Sequence, residues 1–227
     1  MLHRAQFCAK CRYTWYADPV VEPSIGLRER KKQDTRRALA RAGLELFVER
    51  GYEATTLADI ADAAGVSTRT IFAYFPGKED ILFSSLQAMR ESLARALTER
   101  PHGQDAFDAL REFAFSSAHE KTELDFKLEQ VIAGDETLRS HKRARMALIQ
   151  ELLAAAIADD LGAPADDIRA NIAAASLTAA FEVLERQDHV SAAPTNEKIV
   201  AALDPVISFV RAGLQALASP GRPTAPR

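Results

Sequence analysis

Four consecutive residues, Ser67, Thr68, Arg69 and Thr70, follow a Gly65-Val66 pair and open a short run with helical spacing. Short hydroxyls and a guanidinium at the start of a helix can reach base edges or phosphates without bulk, and the helix N-terminus itself favours a phosphate. Arg69 has the sharpest chemistry of the four. A guanidinium can grip guanine O6 and N7 in a bidentate way, worth roughly 1–3 kcal/mol of discrimination. Tyr74 and Lys78 lie one to two turns farther on, where a phenol and an ammonium suit phosphates on one strand and would fix register. Upstream, Thr56 is placed to cap a helix and to offer its amide or hydroxyl to a phosphate on the other side. The basic run from Arg28 to Arg37, with Arg30 and Lys31 inside it, suits a flexible arm that follows a DNA backbone or enters a minor groove. Charge alone equally allows a solvated basic face there.

The elements that must position these residues are legible around them. Thr56 caps a short helix of about 57 to 63, Asp59 stands three residues on to return a bond to the cap, and Leu57, Ile60, Ala61 and Ala64 form the buried edge. Gly65 supplies a tight turn and Val66 points inward. Ser67 caps a second short helix, which Ile71, Phe72 and Phe75 bury against the first before Pro76-Gly77 ends it. Two helices this short cannot make a core alone, so they lean on a first helix of about 35 to 50, stopped by Gly51, and on the helix that follows. The spacing predicts a helix-turn-helix, whose second helix enters the major groove.

Composition bounds the rest. The chain has 227 residues, is 47% hydrophobic and 27% charged, and carries a net charge of -3. That is a globular composition, and it excludes wholesale disorder and a uniformly basic protein. The charge is uneven: residues 1–82 hold 13 Lys and Arg against 11 Asp and Glu, whereas the remainder holds 16 against 21. No apolar run approaches the roughly 18 residues of a membrane span, and no signal-peptide core follows the N-terminus, so a cytoplasmic protein without membrane contact is expected. Cys8 and Cys11, with His3 nearby, have half the spacing of a zinc knuckle, but no second ligand pair exists, so no metal and no cofactor is expected. Enzyme motifs are missing too: there is no Gly-x-Ser-x-Gly elbow, no phosphate-binding Gly-rich loop and no His-Glu-x-x-His.

From residue 34 onward apolar residues recur at three and four spacing with no strand-like alternation, which predicts an all-α fold. Breakers divide the second part into helices of about 78–99, 105–118, 121–133, 140–160, 165–186 and 195–217, with Pro164 as a first-turn proline. The expected organisation is a flexible N-terminal extension (1–27), a helix-turn-helix domain (28–82), a second helical domain with a dimerisation face (83–218) and a disordered tail (219–227). Small residues along 165–186 let another backbone approach, and apolar residues recur at near-heptad spacing on the last helix. A dimer interface of Ile172, Ala175, Ala179, Ile199, Leu203, Val206, Val210 and Leu217 follows from that pattern, with packing inside one chain as the alternative.

The residues from about Thr35 to Leu82 closely resemble the tetracycline-repressor (TetR) family of bacterial regulators. The resemblance rests on Gly43-Leu-Glu-Leu-Phe47, Gly51-Tyr52, Thr55-Thr56, Ile60-Ala61, Ala64-Gly65-Val66-Ser67, Thr70-Ile71-Phe72, Tyr74-Phe75 and Lys78-Glu79. Two departures stand out: the family often has Gly where Arg69 stands and Tyr where Phe72 stands, so a base contact is added and a phosphate-binding phenol is lost. The resemblance implies a homodimeric repressor on a palindromic DNA operator, joined by a four-helix bundle of the last two helices of each subunit. It also implies a small-molecule effector in a cavity among the middle helices, with Phe107, Phe113, Phe126, Met146, Ile149, Leu153, Leu177 and Phe181 as candidate lining. Residues 124–187 are similar to the C-terminal domain of actinobacterial members, some of which bind acyl thioesters, which implies an apolar or acyl-chain ligand. A helical protein-interaction module without specific DNA binding is the alternative.

Overall fold

In the computed structural model the described residues are 26–117, 122–188 and 196–218, and they form ten α-helices with no strand among them. Cys8, Cys11 and His3 lie outside the described residues, as does the 219–227 tail.

The first helix, α1 (Leu27–Arg50), begins eight residues earlier than its apolar pattern indicates, so the basic run is helical and not a flexible arm. The reason is local. Residues 27–37 contain no Gly or Pro and are mostly strong helix formers, but they face solvent, so no apolar periodicity marks them. The helix stops at Gly51, whose φ of 89° suits glycine and whose N–H donates to the Phe47 carbonyl. Next to it the wholly buried Thr55 donates its hydroxyl towards the carbonyls of Gly51 (2.8 Å) and Leu46 (3.2 Å), pinning the chain reversal.

Helices α2 (Leu57–Ala63) and α4 (Lys78–Leu82) pack on the buried face of α1, and α3 (Thr68–Phe72) packs on α2. Gly43 makes the crossing close: a Cβ there would sit 2.5 Å from the Ile81 side chain. The expected helix of 78–99 is divided at Phe83, after which α5 (Ser84–Thr98) starts afresh. Ser84, itself buried, donates its hydroxyl to the Ile81 carbonyl at 2.7 Å, a local bond that competes with helix continuation.

The remaining helices are α6 (Ala106–Ser117), α7 (Glu123–Gly134), α8 (Glu136–Asp160), α9 (Ile168–Asp188) and α10 (Asn196–Ala218). Thr122 and Asp125 form a capping box for α7, and Asp135 caps α8, which therefore starts four residues earlier than the sequence pattern indicates. Pro164 is not in the first turn of α9. It lies in the preceding turn, and Asp167 caps the helix instead by accepting the Arg169 N–H at 2.8 Å.

Two apolar cores result. One joins α5, α6, α8, α9 and α10 around Leu110, Leu153, Ile157, Leu177 and Leu203. The other joins α1 to α4 around Leu39, Phe47, Ile60, Ile71, Phe75 and Ile81, and it takes in Leu128 and Ile132 from α7 and Leu138 from α8. The N-terminal core is thus not closed at residue 82: two later helices complete it. An Arg145–Asp80 ion pair (3.4 Å), with the same guanidinium 4.6 Å above the Phe83 ring, holds α8 against α4 and the start of α5.

Candidate nucleic-acid interface

The turn between α2 and α3 is built entirely from local bonds. Thr56 accepts the Asp59 N–H, while the Asp59 carboxylate accepts the Thr56 N–H at 2.8 Å and its hydroxyl at 2.5 Å. Those bonds hold the Asp59 carboxyl below its ordinary pKa. At the far end Gly65 takes a φ of 68°, and the N–H groups of Gly65 and Val66 return to the carbonyls of Asp62 and Ala61. This is the paired closure that favours glycine just past a helix end. Ser67 then caps α3 by accepting the Thr70 N–H at 3.1 Å, and the two hydroxyls lie 2.8 Å apart. Ser67 and Thr70 therefore serve the helix first, leaving Thr68 and Arg69 as the outward groups of the first turn.

Burial fixes which way α3 faces. Ile71 and Phe75 are wholly buried, whereas Ser67, Thr68, Arg69 and Ala73 are exposed and Tyr74 is half-buried. Phe72 departs from the expected inward face: it is 57% exposed. Three residues cannot all point inward from one short turn, and the i, i+4 pair Ile71 and Phe75 takes the buried side. Apolar character alone assigns Phe72 to the core, but its angular position on α3 turns it outward.

Two cations brace this surface. Arg36 donates to the Tyr74 carbonyl at 3.1 Å and lies 4.6 Å above the Phe75 ring, tying α1 to the end of α3. Its role was not read from the sequence. Lys78 donates to the Tyr52 carbonyl at 2.9 Å and sits 4.5 Å above the Tyr52 ring, so its ammonium is anchored within the protein. Arg30 and Lys31 lie exposed on the first turns of α1.

The other expected sites fall out differently. Phe107, Ile149, Leu153 and Leu177 are buried core, Phe113, Met146 and Phe181 are partly buried against the same core, and Phe126 is half-buried on α7. A surface cleft of about 770 Å³ lies elsewhere, between α1 and α7, lined by residues that include Glu45, Val48, Glu49, Leu124 and Lys127. Of the expected dimer residues, Leu203 and Val210 are buried in their own subunit and Val206 packs on that core, so none of the three is the outer face. Ile172, Ala179 and Leu217 are exposed and Ala175 is half-buried, while the Ile199 side chain lies outside those described. Ile168 and Val183 on α9 and Phe209 on α10 are exposed as well, the last by 75%. The period of the stripe on α10 was legible, but not which of its two apolar sides turned inward.

Comparison with known proteins converges on these helices. Residues 39–84 match the family model for bacterial regulatory proteins of the tetR family. Over those residues the chain is similar to that family. Over 85 residues the chain is 42% identical to the HTH-type transcriptional regulator TcmR of Streptomyces glaucescens, a match covering 37% of this chain and 38% of that protein. Over 67 residues it is 40% identical to the HTH-type transcriptional regulator TtgR of Pseudomonas putida, covering 28% of this chain and 32% of TtgR. The chain therefore spans only about a third of the length of these relatives. The fold likeness reaches farther than these matched residues. SmeT, the repressor of the Stenotrophomonas maltophilia multidrug efflux pump SmeDEF, superposes with a TM-score of 0.51 at 19% identity, over 79% of this chain and 91% of that one. A regulator structure from Pseudomonas aeruginosa gives a TM-score of 0.56 at 20% identity, over 83% and 94%. Among the described residues no helix is long and apolar enough to cross a membrane, and no group of three potential metal ligands is found.

Proposed function

We propose that this chain is a DNA-binding transcriptional regulator, not an enzyme, acting as a homodimeric repressor on a palindromic operator. The observation that carries the reading is the outward presentation of Thr68 and Arg69 on a helix capped by Ser67 and braced by Arg36. Arg69 reads a guanine edge. Thr68 reaches an adjacent base or phosphate, and Ser67, Thr70, Tyr74 and Thr56 line the flanking backbone. Arg30 and Lys31 take phosphates from the first turns of α1, and Lys78 offers the donors it does not give to Tyr52.

The dimer face is the exposed apolar side of α9 and α10, with Ile168, Ile172, Val183 and Phe209 at its centre. Two recognition helices held about 34–36 Å apart then meet successive major-groove faces. An apolar small molecule is the effector, its lining drawn from the partly buried Phe113, Met146 and Phe181 over the core formed by Leu153 and Leu177.

Fluorescence anisotropy of the full chain against a duplex enriched from a randomised pool, and against its scrambled counterpart, tests this at two salt concentrations. Selective, salt-sensitive binding of two protomers per duplex supports the reading. Equal, weak binding to both duplexes overturns it in favour of a helical protein-interaction module.

A further inference from the structure

Phe72 is an exposed phenyl at the end of a five-residue helix, while its large apolar neighbours, Ile71 in the helix and Phe75 just beyond it, are wholly buried. It lies one helical turn from Arg69 and Thr68 at i, i+3 and i, i+4, so the three share one face, and the exposed Ala73 beside them adds no bulk. Its position is fixed by the Ser67 cap at one end of α3 and by the Arg36 bond to Tyr74 at the other. A phenyl has no donor or acceptor for a phosphate or a base edge. In a major groove its favourable partner is the one apolar group displayed there, the thymine C5-methyl. Its wet surface in the free protein becomes a source of affinity once that methyl covers it.

We propose that Phe72 is a specificity-determining residue that selects thymine through its C5-methyl, beside the base taken by Arg69. This rests on the DNA-binding reading above. The phenyl requires a methyl at one position of each half-site, next to the guanine read by the guanidinium, where a tyrosine hydroxyl would have turned to a phosphate instead.

The test uses the full chain and a duplex that it enriches from a randomised pool. Each thymine is replaced singly by deoxyuridine, which removes the methyl and leaves the pairing edge intact. At one thymine per half-site the wild type is expected to bind the deoxyuridine duplex about fourfold more weakly, the value of one methyl group taken out of water. Phe72→Ala should bind both duplexes equally while keeping its guanine preference, and Phe72→Leu should retain the discrimination. Because the side chain is exposed, Phe72→Ala should melt at the wild-type temperature. A thymine-to-deoxyuridine ratio identical in wild type and Phe72→Ala at every position overturns the assignment while DNA binding stands. Failure of the wild type to enrich any duplex overturns the DNA-binding reading and this assignment with it.

Discussion

Both cores of this molecule are made of α-helices, yet they are specified in different ways. In the N-terminal domain the elements are short and each boundary is set within a few residues: the Thr56–Asp59 box, the Gly65 turn, the Ser67 cap and the Gly51 stop. In the C-terminal core the helices are long, and what matters is which side of each meets its neighbours. Local chemistry fixes the first region and packing fixes the second. The two are joined by α8, which gives Leu138 to the N-terminal core and Ile149, Leu153 and Ile157 to the C-terminal one.

The sharpest way to break this comparison is to place a charge on each side of α10. Leu203→Glu buries a carboxylate in the C-terminal core and should cost several kcal/mol, leaving little folded protein. Phe209→Glu, six residues on and facing out, should leave helicity and solubility intact while converting a dimer to a monomer by sedimentation. Unfolding by Phe209→Glu would mean that the outer face is not where the structure places it.

A smaller effect probes the join between the regions. Phe75→Ala in the N-terminal core should cost about 3–5 kcal/mol and Leu177→Ala in the C-terminal core about 2–5 kcal/mol. Because α8 contributes to both cores, Leu138 to one and Ile149, Leu153 and Ile157 to the other, each variant should melt in one transition when followed by calorimetry. Two separated transitions would show that the domains are uncoupled.

The sequence made the span of α2 and the start of α3 readable because caps and left-handed glycines are local signals, whereas α3 ends at Phe72, before the Pro76-Gly77 pair expected to stop it. It misread Phe72, which hydrophobicity alone assigns to a core but whose angular position on α3 points outward. It also missed the first two turns of α1, where every residue but the half-buried Gln33 is exposed and no apolar period exists. On α10, near-heptad spacing points to Leu203 and Val210, which face inward, and not to the exposed Phe209, since two apolar sides of one helix carry the same period. Arg36 was invisible because its partners, Tyr74 and Phe75, are distant in sequence.

The smallest expected effect concerns the cap of α9. The Arg169 guanidinium and the backbone N–H groups of Arg169 and Ala170 hold the Asp167 carboxyl at about 2, below its ordinary 3.8. A carboxyl with a depressed folded pKa stabilises above the unfolded value and loses that contribution as pH falls towards the folded one. The melting temperature of the wild type should therefore drop more than that of Asp167→Asn between about pH 4 and pH 2. Parallel curves for the two would contradict this role.

In the proposed complex α3 reads sequence while α1 supplies affinity. Anisotropy titrations of wild type, Arg69→Ala and Arg30→Ala against the enriched and scrambled duplexes, over a range of salt, test it most directly. Arg69→Ala should lose roughly ten- to a hundredfold in its preference for the enriched duplex. Arg30→Ala should keep that preference and lower the salt slope by about one. Uniform loss of affinity for both duplexes by both variants would contradict the division of labour between the two helices.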